Sequence, residues 1–361
     1  MIVVDEKYMA RCIALARQGI GKVSPNPMVG CVIVHDGKII GEGYHRKYGE
    51  AHAEVNAIAS VRDESLFPAS TLYVNLEPCS HYGKTPPCAE LIIRKKIPRV
   101  VVACLDPFPQ VSGNGIKMLR EAGIEVIVGV MEAKSFALNK VFMTSHLLKR
   151  PYVYLKWAQS ADGYMDRKRD DAFVPPVLFS SPLMLQQVHK RRSEVSAIMV
   201  GRRTAALDNP SLTLRHWAGE SPVRVVLDKD LTIPLGNHLF DGSVRTIVFT
   251  GLEKESSKNI TYVKTDYSCD VLRQVLTYLY AQRLTSLLVE GGAYLLKKML
   301  QEGLWDETQI ETTPTILGDG VEAPVLEHSF NSALKMTGME YNENAKQHLI
   351  TIYSRKNTLF K

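Results

Sequence analysis

Apolar residues set the first elements. Met9, Cys12, Ile13 and Ala16 recur at the spacing of one helix face, which predicts an amphipathic helix over residues 6–18. A short apolar run over 29–35, the turn dipeptide Asp36-Gly37 and a returning segment over 38–43 predict a hairpin. The pattern then predicts a helix over 51–61, a buried strand over 71–76 that stops before Pro78, and a helix over 89–95. A strand over 100–104, a helix over 115–122 and a strand over 126–130 complete this series. Strands that alternate with helices and read as continuous apolar runs imply an α/β sheet covered on both faces.

Around His146 to Pro151 the periodicity breaks at the basic stretch Lys149-Arg150-Pro151, and a strand over 152–157 opens a second α/β series. Its strands are expected over 197–200, 223–227, 246–249 and 286–289, with helices over 183–192 and 271–282. The chain therefore divides into domains at 1–147 and 148–361, each of ordinary size, with no internal repeat between them.

Apolar residues at 45% and charged residues at 23% match a soluble globular protein and argue against long disorder. The net charge of +6 includes the clusters Arg94-Lys95-Lys96 and Arg167-Lys168-Arg169; it suits anionic ligands such as phosphates, although most such charge is solvated surface. Aromatic residues are only 8% and do not interleave with basic ones, so a nucleic-acid partner is not expected. Ile2-Val3-Val4 runs straight into Asp5 and Glu6, which is no secretory signal, and no apolar stretch reaches the ~18 residues a membrane span needs. A cytoplasmic location is expected, and with it reduced thiols. The six cysteines are then metal ligands or structural residues, and Cys12, Cys31, Cys104 and Cys269 are read as structural.

The chemistry concentrates in His52-Ala53-Glu54 and in Pro78-Cys79 followed by Cys88. A catalytic zinc takes three nitrogen or sulfur ligands and keeps a fourth position for water, and His52, Cys79 and Cys88 meet that count. Zinc lowers the pKa of its water from 15.7 towards ~7, and Glu54 beside the histidine is then free to move protons. H-x-E with P-C is the pattern of the zinc deaminases, in which the glutamate is general acid and base. The bland alternatives are a closed structural site with His81 as fourth ligand, or no metal at all. Eight residues separate Cys79 from Cys88, against two in the usual pattern, and this loop carries His81 and Lys84, which are expected to grip substrate.

With these residues in place the chain resembles the bifunctional deaminase-reductases of riboflavin biosynthesis. The resemblance rests on the runs from Pro25 to Gly30, Gly41 to His45, His52 to Glu54 and, most specifically, Thr71 to Cys88. In the second half it rests on Leu155-Lys156 with Ser160 to Gly163, Val188-His189 with Arg192, Ala197 to Gly201 with Thr204, Asp208-Asn209-Pro210 with Leu212, Thr213 and Arg215, and Val289 to Gly292. It implies a cytidine-deaminase-like three-layer αβα domain followed by a dihydrofolate-reductase-like α/β domain that binds NADPH. It further implies phosphorylated pyrimidine substrates, two successive reactions and a homodimer or larger assembly.

Carried over position by position, the resemblance assigns Asn26, His45, His81, Lys84 and Asp106 to the deaminase substrate. It assigns Leu212, Arg215 and Glu290 to the reductase substrate, and Thr204, Asp208 and the stretch from Gly292 to NADPH. The residues lend partial support. Gly291-Gly292 after an apolar run would let a backbone approach a dinucleotide, although a plain turn explains it equally, and no G-x-G-x-x-G follows a strand. Glu290 ends that run, where it either assists opening of the sugar ring or is simply solvated.

Two departures bear on activity. Phe108 stands where the family carries an asparagine after its D-P motif. Pro176, Leu178 and Leu185 stand where the family carries a serine, a tryptophan and a phosphate-binding arginine. Arg191, Arg192, Arg215 or Lys190 is expected to take over the phosphate. The rival reading keeps the deaminase and makes the C-terminal half a scaffold. A nucleic-acid deaminase and a non-enzymatic zinc module are the remaining competitors.

Overall fold

The computed structural model describes residues 5–82, 86–107, 112–326, 334–343 and 346–355. The chain forms two compact units, Met1–Lys149 and Arg150–Lys361.

In the first unit Asp5 caps helix α1 (Glu6–Ala16), its side chain accepting from the Lys7 N–H. Strands β1 (Gly30–His35) and β2 (Lys38–Tyr44) form the hairpin, followed by α2 (Ala53–Ala59), β3 (Thr71–Val74), α3 (Cys88–Arg94), β4 (Arg99–Val102), α4 (Asn114–Glu121) and β5 (Glu125–Val128). The sheet runs β2-β1-β3-β4-β5, with β1 antiparallel to both neighbours and the others parallel. Successive residues of β1 serve opposite faces. Val32 and Val34 pack with Met9, Cys12 and Ile13 of α1, whereas Cys31 and Ile33 pack with Ala57, Ile92 and Leu119 of α2, α3 and α4. Both faces are covered, so the strand reads as one continuous apolar run and the layers are αβα. Helix α2 lies directly on β2 because Gly43 has no side chain there: a Cβ would meet the Ala57 nitrogen at 2.5 Å.

Two further helices, α5 (Glu132–Leu138) and α6 (Lys140–Leu148), fill the stretch before the division, and the sequence pattern did not announce them. Leu147 and Leu148 are exposed and neither helix has a side-chain cap, so the apolar spacing there marks no single face. Strand β3 also stops two residues earlier than its apolar run, because Asn75 and Glu77 turn inward as buried polar residues. Cys12, Cys31 and Cys104 are buried as expected of structural thiols, but Cys269 is on the surface, donating to Asp266 at 3.3 Å, and belongs to no core.

The second unit begins with β6 (Tyr152–Gln159), the short β7 (Tyr164–Asp166), α7 (Pro182–Ser193), β8 (Ala197–Val200), α8 (Arg202–Asp208) and β9 (Val223–Leu227). It continues with β10 (Thr246–Thr250), β11 (Ile260–Lys264), α9 (Val271–Ala281), β12 (Ser286–Glu290), α10 (Ala293–Gln301), β13 (Glu307–Thr312), β14 (Val321–Glu322), β15 (Leu334–Glu343) and β16 (Lys346–Arg355). The main sheet runs β11-β10-β9-β8-β12-β6-β13-β16-β15; β6 and β8 through β13 are mutually parallel, and β15 and β16 close the edge antiparallel. On one face Val153, Leu155 and Trp157 of β6 join Leu272, Val275, Leu276 and Leu279 of α9 and Leu296 and Met299 of α10. Tyr154 points to the other face, under Arg191 of α7.

This strand order fixes where a ligand can sit. From β8 the chain passes through α8 to β9 on one side, and from β12 through α10 to β13 on the other. The crevice at the carboxyl ends of β8 and β12 is therefore a topological switch point, the position at which open parallel sheets bind ligands. Among the described residues no helix is long and apolar enough to cross a membrane.

Candidate functional site

In the first unit the end of β2, the start of α2, the loop after β3 and the start of α3 converge. His52 immediately precedes α2, Glu54 lies in its first turn, Cys79 follows β3 and Cys88 opens α3. The ligand atoms of His52, Cys79 and Cys88 all lie within 4.8 Å of one another, and no fourth His, Cys, Asp or Glu joins them among the described residues. The His52 Nδ1 is 3.6 Å from the Cys79 Sγ and 3.4 Å from the Cys88 Sγ. Zinc bonds of ~2.3 Å to sulfur and ~2.0–2.1 Å to nitrogen would put adjacent tetrahedral ligands ~3.6 Å apart, so the three atoms fit one metal ion and leave its fourth position open. The Cys79 thiol is held well below its usual range, chiefly by the Cys88 thiol and then by His52, while the Cys88 thiol is pushed up.

Glu54 is buried, and burial raises its pKa. His45 is buried edge-on to His52 at 5.5 Å, with Nδ1 3.1 Å from the Ala51 carbonyl and Nε2 3.3 Å from the Asn26 Nδ2. The carbonyl can only accept, so Nδ1 carries the proton and Nε2 accepts from Asn26. Burial lowers the His45 pKa and keeps the ring neutral at pH 7. His81 is exposed and outside the ligand cluster. Lys84 and Phe108 lie outside the described residues.

Sequence reasoning missed the residue that fastens the ligand loop. Glu77, two residues before Cys79, is buried and accepts backbone N–H bonds from Asp106 at 3.3 Å, Gly113 at 2.9 Å, Gly115 at 3.0 Å and Ile116 at 3.3 Å. It ties the Cys79 loop to the loop bearing Asp106 and to the start of α4. A Cβ on Gly115 would sit 2.0 Å from the Pro78 carbonyl oxygen, so that approach requires glycine. Asn75 and Asn139 were missed as well. Asn75 accepts from the Gly30 N–H at 2.7 Å, and Asn139 accepts from the Met28 N–H at 2.8 Å, fixing the segment that follows Asn26. Their only signal was polarity within an apolar run.

In the second unit Thr204 meets Gly291 and Gly292 at the β8/β12 crevice. Both glycines have positive φ, +82° and +81°, and a Cβ on Gly292 would come 3.3 Å from the Thr204 Oγ1. The bare backbone there is a cradle that side chains would fill. Asp208, at the end of α8, pairs at 2.5 Å with the buried Arg169, which also binds Asp166 at 2.6 Å. Glu290 lies at the end of β12 within the same crevice, gripped by Arg192 of α7 at 2.6 Å. It is therefore not a solvated surface glutamate. Burial pulls its pKa up, but Arg192, by charge and by hydrogen bond, and then Lys156 hold it below the usual range.

Leu212 is buried with φ +53°, in a loop whose Arg215 is exposed and donates from Nη1 to the Ser211 Oγ at 3.1 Å. Of the four candidate phosphate ligands, Arg191 is engaged by the Tyr154 ring at 4.8 Å and by Glu194 and Glu307, and Arg192 by Glu290. Lys190 lies 5.6 Å over the Trp217 ring. Pro176, Leu178 and Leu185 are exposed.

Comparison with known proteins gives matches over both units. A family model for the cytidine and deoxycytidylate deaminase zinc-binding region matches residues 3–104, and one for the RibD C-terminal domain matches residues 151–347. The riboflavin biosynthesis protein RibD of Aquifex aeolicus is 37% identical, covering 98% of this chain and 99% of its own. That of Escherichia coli is 34% identical, covering 87% of this chain and 89% of its own. The crystal structure of a diaminohydroxyphosphoribosylaminopyrimidine deaminase/5-amino-6-(5-phosphoribosylamino)uracil reductase from Thermotoga maritima superposes with a TM-score of 0.85 at 37% identity, covering 97% of this chain and 98% of its own.

Proposed function

This chain belongs to the RibD family of riboflavin-biosynthesis enzymes, and from that premise we propose that it performs both of the family's reactions. The first is hydrolytic deamination of 2,5-diamino-6-ribosylamino-4(3H)-pyrimidinone 5′-phosphate. The second is NADPH-dependent reduction of the ribosyl group of 5-amino-6-(5-phosphoribosylamino)uracil to ribityl. The deaminase is a cytidine-deaminase-like unit and the reductase a dihydrofolate-reductase-like unit, divided after Lys149, two residues beyond the 147/148 division expected from the sequence. The observation that carries the reading is an open three-ligand metal set beside a buried glutamate, in one chain with a glycine cradle at a switch point.

In the deaminase, His52, Cys79 and Cys88 hold zinc, which when bound supplies a Lewis acid and a water acidic enough to react at neutral pH. Glu54 takes the proton released as water adds to the amino-bearing ring carbon and returns it to the amine, which leaves as ammonia. His45, held neutral, and Asn26 offer hydrogen bonds to the ring, and Asp106, His81 and Lys84 complete the grip on substrate. Glu77 keeps the ligand loop in register with Asp106.

In the reductase, Thr204 and the backbone from Gly292 hold NADPH, which when bound supplies the hydride, and Asp208 borders that site. Glu290 stays ionised, accepts from the ribose hydroxyls and assists opening of the sugar ring, while Leu212 walls the substrate. Arg215 takes the substrate phosphate, because the neighbouring arginines already have carboxylate partners. Both substrates are small phosphorylated pyrimidines. Nucleic acid and membrane have no part, and the enzyme works in the cytoplasm as a homodimer or larger assembly.

Two kinetic results test the second site. Hydrogen bonds to charged groups contribute about 1.5–3 kcal/mol, so Glu290→Gln is expected to lower reductase kcat/KM by about 10–150-fold with ammonia release unchanged. Unchanged kcat/KM would return Glu290 to a structural role. Arg215→Ala is expected to raise KM by about tenfold with kcat nearly held, the mark of a lost binding contact. A fall in kcat at constant KM would place Arg215 elsewhere in the cycle.

A further inference from the structure

Helix α7 carries His189 and Arg192 one turn apart on one face, and both reach the loop that bears Leu212 and Arg215. The Arg192 Nε and Nη2 donate to the Glu290 Oε1 and Oε2 at 3.2 and 2.6 Å, and its Nη1 donates to the Thr213 carbonyl at 3.3 Å. One turn back, the buried His189 accepts the Arg215 N–H on Nδ1 at 3.1 Å, its ring edge-on to His216 at 4.8 Å. The backbone from Thr213 to Arg215 is thus pinned at two points. Leu212 just before it keeps a left-handed φ of +53°, a conformation that costs a non-glycine residue energy and persists only when its surroundings enforce it. The Arg192 and Glu290 side chains are 12% and 13% exposed, so water does little to weaken the pair.

From this geometry we propose that Arg192 is a positioning residue of the reductase: one guanidinium sets the Glu290 carboxylate and the Leu212–Arg215 loop in a single arrangement and acts on reduction only through them. The inference rests on the reductase reading above. It also accounts for the residue type. A planar guanidinium sends donors in two directions at fixed angles, whereas a lysine ammonium is a single charged point on a flexible stem. Lysine would keep the attraction to Glu290 and lose the tie to Thr213.

The test is a double-mutant cycle in the full-length chain, with Arg192→Gln, Glu290→Gln and the double variant assayed for NADPH oxidation on the deaminated substrate and for ammonia release on the first substrate. Arg192→Gln is expected to lower reductase kcat/KM at least tenfold, and the double variant to lie within about threefold of the worse single one, because the two residues act as a unit. The acid limb of the Arg192→Gln pH profile moves to higher pH, since burial then acts on Glu290 without its largest counterweight, Lys156 of β6 and His189 of α7 contributing less, and the double variant loses that limb. Arg192→Lys keeps the limb near its wild-type position and stays at least fivefold slow. Ammonia release remains at the wild-type rate throughout. Multiplicative losses in the double variant, full activity in Arg192→Gln, or an unmoved acid limb would overturn the proposal. Failure of the unmutated chain to oxidise NADPH would instead remove the reductase reading on which it rests.

Discussion

Glu54→Gln is expected to retain one zinc per chain and to lose deamination by ~10²–10⁴-fold, the usual worth of a positioned general acid and base. The glutamate sits in the first turn of α2, two residues after the His52 ligand, and the glutamine amide has nearly its shape. The metal set does not include it, so zinc should stay. What the amide cannot do is take a proton from water and hand it to the departing amine. Because one group serves both transfers, the loss belongs at the upper end of the range. Metal analysis together with an ammonia assay reads both halves. Zinc retention with near-wild-type ammonia release would mean that another residue moves the proton.

Cys88→Ala is expected to strip the zinc and abolish deamination while leaving NADPH oxidation on pre-deaminated substrate intact. Three protein ligands are the fewest a catalytic zinc keeps, and removal of one leaves only His52 and Cys79. Cys88 also lends its backbone N–H to the Cys79 Sγ at 3.3 Å, and alanine preserves that bond, so the variant removes a ligand without removing the loop contact. Full zinc occupancy in the variant would show that a further group closes the shell, which is the structural-site alternative.

The sequence made the metal set and much of the fold legible for different reasons. His52, Cys79 and Cys88 were readable because few residue types bind zinc and their spacing carries the chemistry. Helix α9 was readable because Leu272, Val275, Leu276 and Leu279 form one unbroken apolar stripe. Helices α5 and α6 were not, since their apolar residues mark no single face. Glu77 was invisible because its partners are four backbone amides from distant segments, and backbone amides leave no trace in residue identity. Among the cationic residues near the reductase crevice, sequence offered Arg191, Arg192, Arg215 and Lys190 as equals. Their partners distinguish them: Glu290 for Arg192, Glu194, Glu307 and Tyr154 for Arg191, and Trp217 for Lys190.

The account's central claim is that one chain carries both activities, and the direct measurement is incubation of the diaminopyrimidinone phosphate with and without NADPH, following ammonia, NADPH and both pyrimidine products. Without NADPH, one ammonia per substrate is expected and the product keeps its ribosyl group. With NADPH, one NADPH is consumed for each ammonia released and the ribityl product accumulates. Ammonia release at the same rate with no NADPH consumed, even on purified deaminated substrate, would contradict the account and leave the C-terminal half a scaffold.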